Sequence, residues 1–196
     1  IKIHLSGAMK KINIIGTSGS GKSTFARKLA KKLDYPYIEL DALFWGPNWT
    51  EPSDEVLFDK LEKALEQDYW VLDGNYSRTN HIKWARTDTI IWIDFSFWRT
   101  LKQAVSRAVS RIIDQKELWP GTNNRESLRM LFSHDSIVLW TLRTYRKNVR
   151  RYSKLPDDPR YTHIQFHRLR SPEECDRWIS EHTDSNQAQN ARPNNV

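Results

Sequence analysis

The chain has 196 residues and a formal net charge of +7, with 38% hydrophobic and 28% charged residues. That length suits a single domain with a real core, and no run approaches the roughly 20 consecutive apolar residues that a membrane-crossing helix requires, so no membrane partner is expected. One cysteine, Cys175, excludes an intrachain disulfide and fits a reducing compartment, with the cytoplasm as the expected location.

Residues 1–8 lack the basic and apolar regions of a secretory leader. They are expected to be a tag or upstream extension, with Met9 as the start of a domain spanning 9–182. Lys11 to Ile15 predicts a first strand that runs into a glycine-rich turn. Lys22 to Leu33 predicts a helix, with Phe25, Leu29 and Leu33 at helical spacing. Tyr37 to Leu40 reads as a short second strand, and Asp54 to Gln67 as a helix with Val56, Leu57, Leu61 and Leu65 forming its apolar stripe. Tyr69 to Leu72 and Thr89 to Ile93 are the third and fourth strands. A helix from Phe97 to Ile113, a loop around Trp119-Pro120-Gly121, and helices over Glu126–Phe132 and Ser136–Tyr152 follow. His163 to Phe166 is the last strand and Pro172 to Glu181 the last helix, opened by proline in its first turn. The Asn/Gln-rich stretch 183–196 is expected to be a mobile tail. Strands separated by helices predict parallel pairing through right-handed crossovers, hence an α/β fold with three layers, α/β/α. The continuously apolar third and fourth strands, which include Trp70 and Trp92, suit a sheet covered on both faces.

Gly16-Thr17-Ser18-Gly19-Ser20-Gly21-Lys22-Ser23 fits the pattern Gly-x-x-x-x-Gly-Lys-Ser/Thr between a predicted strand and a predicted helix. Backbone amides that converge on phosphate oxygens need glycines at the tight positions, and the helix start adds unpaired N–H groups and the positive end of its dipole. Gly16 through Thr24 are therefore assigned to a nucleotide. Lys22 would face the β- and γ-phosphates of ATP, and the Ser23 hydroxyl would ligate Mg2+. The Gly-Lys-Ser ending separates this turn from dinucleotide-binding turns. Ligands of an open parallel sheet bind beyond the carboxyl ends of its strands, where Asp73, the pair Glu39 and Asp41, and Asp94 stand. Asp73 is placed as a holder of the metal. Glu39 and Asp41 are expected to point to one side because strand side chains alternate, although helix caps and turns use acidic residues in the same way. His81, His134, His163 and His167 show no metal-ligand spacing.

The cradle, the run Trp70-Val71-Leu72-Asp73-Gly74, the fourth strand ending in Asp94 and the basic segment after it resemble the adenylate-kinase-related P-loop kinases. Within that group the chain looks most like the bacterial DNA topology modulation (FlaR-type) proteins, whose second strand similarly ends in Glu-Leu-Asp before a tryptophan-containing loop. The resemblance implies a P-loop NTPase sandwich with a five-stranded parallel sheet and a helical lid insertion, here residues 99–154. It implies lid arginines that close on the transferring phosphoryl group, for which Arg107, Arg111, Arg143 and Arg146 are the candidates. Arg107 and Arg111 lie four apart and share a helix face. In adenylate kinases the Asp-Gly pair leads into Phe-Pro-Arg, whose arginine grips the acceptor phosphate; here Asp73-Gly74-Asn75-Tyr76-Ser77-Arg78 lacks the proline and sets the arginine one position later. Glu39-Leu40-Asp41 is also similar to the acidic pair that shikimate kinases place after their second strand. The acceptor site is thus expected around Glu39, Asp41, Trp45 and Arg78, with Trp49 beside them, and Asp41 would orient or deprotonate an acceptor hydroxyl.

The expected activity is ATP-dependent phosphoryl transfer, with Mg2+, to a small molecule or nucleotide. A competing reading is a nucleic-acid-associated ATPase, because residues 99–154 carry 13 Lys/Arg against 4 Asp/Glu, a block that could grip a phosphate backbone. A third is a nucleotide-binding regulator without chemistry.

Overall fold

A computed structural model describes residues 9–127 and 136–190. The extension at 1–8, the end of the tail, His134 and most of the helix expected over Glu126–Phe132 lie outside the described residues. Five strands, β1 (Lys11–Gly16), β2 (Tyr37–Glu39), β3 (Trp70–Asp73), β4 (Thr89–Ile93) and β5 (Gln165–Leu169), pair in parallel in the order β2-β3-β1-β4-β5. The helices are α1 (Lys22–Leu33), α2 (Leu40–Phe44), α3 (Asp54–Ala64), α4 (Asn80–Arg86), α5 (Phe97–Asp114), α6 (Ile137–Tyr152) and α7 (Pro172–Asn190). Strand β1 lies between β3 and β4, so the turn that follows it opens into the crevice where an open parallel sheet binds ligands. Among the described residues, no helix is long and apolar enough to cross a membrane.

Alternation along the strands divides the core. Ile12, Ile14, Val71, Ile91 and Ile93 pack on Phe25, Leu29 and Leu33 of α1 and on Trp178 and Ile179 of α7. On the opposite face Trp70 and Leu72 meet Leu61 and Ile82, and Ile15, Ile90 and Trp92 meet Trp84 and Tyr152. Trp70 and Trp92 are core residues, as their place in apolar strands predicts. Each large side chain buried in this way contributes about 1.5–3 kcal/mol.

One polar residue interrupts the second face. Asn13, in the middle of β1, donates from Nδ2 to Leu72 O and Gly74 O, both at 3.0 Å, and accepts from Trp84 Nε1 at 2.8 Å. It ties β1 to the end of β3 and fixes the indole that separates the sheet from α4. Asn13→Ala leaves a buried indole N–H and a carbonyl unmet, at about 1–3 kcal/mol each. The expected outcome is a lower denaturation midpoint at unchanged m value; a shift below about 0.5 kcal/mol, the scale of an ordinary surface change, would show that the network carries no stability.

Several boundaries differ from expectation. Strand β2 ends at Glu39, because Leu40 is fully buried against Gly74 and turns the chain into α2 to reach that seat. Glu39 and Asp41 therefore do not sit on one strand side. Helix α3 ends at Ala64, and Val56 is exposed while Leu57, Leu61 and Leu65 are buried. Strand β5 starts at Gln165, since the Pro159–Tyr161 turn extends until the Ile164 amide donates to Tyr161 O. Helix α7 continues past Glu181 to Asn190. Glu126 and Ser127 are not helical.

Candidate active site

The turn after β1 has the backbone that its glycines allow. Gly19 and Gly21 have φ of 84° and 89°, in the left-handed region that only glycine enters freely. A Cβ on Gly19 would also lie 2.6 Å from Thr100 O and 2.8 Å from the Ala104 Cβ, so α5 presses directly on the loop. Ser20 N donates to Thr17 O at 3.0 Å and closes the turn. Gly21 is the N-cap of α1 and supplies no side-chain cap, which leaves the helix's first-turn amides for a ligand in the mouth.

Two side chains bring charge to that mouth. Lys22 Nζ stands 3.9 Å from Asp73 Oδ1, and Asp73 is 3% exposed. Asp73 Oδ2 accepts from the Tyr37 hydroxyl at 3.0 Å, whereas among the described residues Oδ1 accepts no hydrogen bond and the buried Ser20 Oγ has no partner. Buried polar atoms in native proteins are nearly always satisfied, so a pair left open beside a phosphate-type turn fits a site that a phosphate chain and its metal ion complete. Ser23 is half-buried in the first turn of α1, and Thr24 is exposed beside it.

Helices α5 and α6 are bonded to the loop. Arg107 of α5 donates to Ser18 Oγ at 3.0 Å, Thr141 of α6 donates to Ser18 O at 3.2 Å, and Asn148 of α6 donates to Thr17 Oγ1 at 3.2 Å. Burial first, and then the neighbouring Arg111, lower the proton affinity of Arg107, while Glu126, Asp41 and Asp73 act in the opposite sense. Arg107 thus lies in the field of both strand-end aspartates. The other expected arginines have different surroundings. Arg111 pairs with Glu126 at 2.9 Å, and Arg143 is exposed on α6. Arg146 lines a separate crevice with Asp94, Tyr145 and Arg168, in which Asp94 is bound by Arg168.

The second mouth lies beside β2. Glu39 is approached by Arg27 and the Tyr37 hydroxyl, both at 3.4 Å, and by Trp119 Nε1 at 3.3 Å. The ionisation of Tyr76 is pushed above its ordinary range by burial and then by the nearby Asp41. Tyr37 is raised likewise, by burial and then by Asp73 and Glu39. Tyr37 remains a neutral donor that orients Asp73 and Glu39. Trp45 sits edge-on to Phe44 and Trp49, at 4.7 and 5.4 Å between ring centres, and Trp49 edge-on to Trp119 at 6.0 Å. Arg78 pairs with Asp54 at 2.8 Å and lies over the Phe44 ring at 4.9 Å. The loop carrying Trp45 and Trp49 is joined to the loop carrying Trp119: Asn124 accepts from Trp49 N at 2.7 Å and donates to Gly46 O at 3.0 Å, and Asn48 N donates to Thr122 O at 2.9 Å.

Sequence reasoning missed Tyr37, Tyr76, Trp119 and Asn124. A signal existed for Tyr37, which stands two residues before Glu39 on one strand and so shares its side. Trp119 and Asn124 meet partners 75 or more residues away, which no local pattern announces.

Residues 18–68 match the shikimate kinase family. The chain is 40% identical over 60 residues to the cytidylate kinase of Caldicellulosiruptor saccharolyticus, covering 30% of this chain and 26% of that one. It is 31% identical over 70 residues to the Bacillus subtilis protein YqaC, covering 33% of this chain and 38% of that one. The matches thus span well under half the length of these relatives. The shikimate kinase structure from Bacteroides thetaiotaomicron superposes with a TM-score of 0.50 at 14% identity, over 92% of this chain and 99% of that one, a likeness of fold. The chain is similar to P-loop kinases, and its fold is that of P-loop NTPases.

Proposed function

We propose that the chain is an ATP-dependent phosphotransferase whose acceptor is a small hydroxyl-bearing molecule. The observation that carries this reading is the buried Asp73 carboxylate, with one oxygen bound by Tyr37 and the other open toward Lys22 at the end of a phosphate-type turn. The amides of Gly16 to Thr24 would enclose the phosphate chain. Lys22 and Arg107 would offset charge on the transferring group, the electrostatic stabilisation on which phosphoryl transfer chiefly depends. Ser23 and Asp73 are the residues that would hold Mg2+, which supplies further neutralisation when bound. Asp41, beside Tyr76, would take the acceptor hydroxyl's proton as its oxygen bonds to the γ-phosphorus and the bridge to the β-phosphate breaks. An acceptor phosphate fits less well, because Glu39 and Asp41 are acids and Arg78 is engaged by Asp54. The nearer likeness to topology modulation proteins rests on Glu39-Leu40-Asp41 and the tryptophan loop.

The test is an ATP-consumption screen across nucleosides, nucleoside monophosphates, sugars and hydroxy acids. Turnover is expected with a hydroxyl acceptor, and Asp41→Asn should lower kcat by about a hundredfold or more with ATP affinity unchanged. Transfer only to monophosphates would remove Asp41 as a base, and no consumption with any acceptor would overturn the transferase reading.

A further inference from the structure

A cavity of about 670 Å3 lies against α4 and the end of α6, lined among others by Asn80, Trp84, Arg151, Lys154, Asp158 and Arg160. No residue of the cradle lines it, nor do Glu39, Asp41 or Asp73. Its volume is in the range of sites for drug-sized or nucleotide-sized ligands.

The charges around it do not balance. Asp158 is already taken by Arg160, through bonds of 2.9 and 2.7 Å. Arg151 and Lys154 have no carboxylate partner among the described residues. Behind the wall, Lys83 of α4 is fully buried and donates only to Tyr76 O, at 3.0 Å, next to the lining residue Ser77. The charged group that acts on Lys83 is Arg151, of like sign. A buried ammonium with no counter-charge is costly, and a solvated basic surface would not place one there. Trp84, with Tyr161 edge-on at 4.9 Å, closes the apolar side.

Cations without an acid call for an anion. We propose that this cavity binds a small phosphate monoester, its phosphate held by Arg151 and Lys154. The site is separate from the cradle and does not depend on the phosphotransferase reading. A sugar phosphate and a nucleoside monophosphate share this chemistry.

The test is calorimetric titration of the full chain with ribose 5-phosphate, AMP and inorganic phosphate, each with a non-hydrolysable ATP analogue present in excess. Ribose 5-phosphate or AMP should bind, and which of them binds assigns the source. R151A/K154A should weaken that binding at least tenfold and leave binding of the ATP analogue unchanged. Inorganic phosphate, which cannot cover Trp84 and Tyr161, should bind more weakly than the monoester and lose its binding in R151A/K154A as well. Equal binding by wild type and R151A/K154A, or loss of the monoester to competition by the ATP analogue, overturns the proposal. Duplex DNA binding that R151A/K154A abolishes, without any monoester binding, assigns the surface to nucleic acid instead and also overturns it.

Discussion

Lys22→Ala is expected to lower kcat/KM for phosphoryl transfer by about a thousandfold, the upper range for loss of one preorganised charge-stabilising group. Lys22 opens α1, and its ammonium is the positive group beside the open oxygen of Asp73, at 3.9 Å. Removing it takes away charge where the transition state needs it and leaves a buried carboxylate uncompensated. The fold should survive: alanine is the strongest helix former, Gly21 still caps α1, and the buried face of α1 is made by Phe25, Leu29 and Leu33. Steady-state kinetics beside circular dichroism and thermal melting separate the two effects. Activity within tenfold of wild type in a folded variant would remove the ammonium from the mechanism.

Lys83→Met should stabilise the protein most below neutral pH, with the advantage fading as pH rises. Burial, reinforced by Arg151, lowers the Lys83 pKa from 10.5 to about 7. Between those values the unfolded chain binds more protons at this position than the folded one, so this group makes wild-type stability rise with pH across that window. The slope approaches about 1.4 kcal/mol per pH unit, one proton's worth. Below pH 7 both states are protonated and the full cost of the buried charge is present; near pH 10 it is gone. Methionine fills the same space without a charge. Denaturant unfolding of both proteins at pH 6, 7.5 and 9 gives the difference directly, free of other titrating groups. A gap that does not change with pH would mean that Lys83 keeps an ordinary proton affinity.

The sequence carries the centre of the fold more fully than its edges. The register from β1 through the turn into α1 could be read because each step is local: an apolar strand, glycines, then helical spacing ending at Leu33. The end of β2 could not, since it is set by Leu40 reaching a seat against Gly74. Charge counting also failed to rank the arginines. Arg107 and Arg111 share a helix face, yet Ser18 takes the first and Glu126 the second, a choice made by loops that meet only after folding. No local pattern marks Lys83 or Asn13 as buried; their burial follows from the packing of α4 on the sheet. The carboxylates at the strand ends were legible because a parallel sheet directs its carboxyl ends to one rim, but Tyr37, which aims two of them, was not.

Ser18 is held by one bond from α5 and another from α6. The phosphate-type turn and the two helices above it are therefore mechanically tethered, and any outward swing of those helices must first release the loop. Occupancy of the turn and posture of the helices then share a single coupling free energy, which acts equally in both directions. Whatever clamps the helices down would tighten the hold on any ligand in the turn by the same factor with which that ligand tightens the clamp.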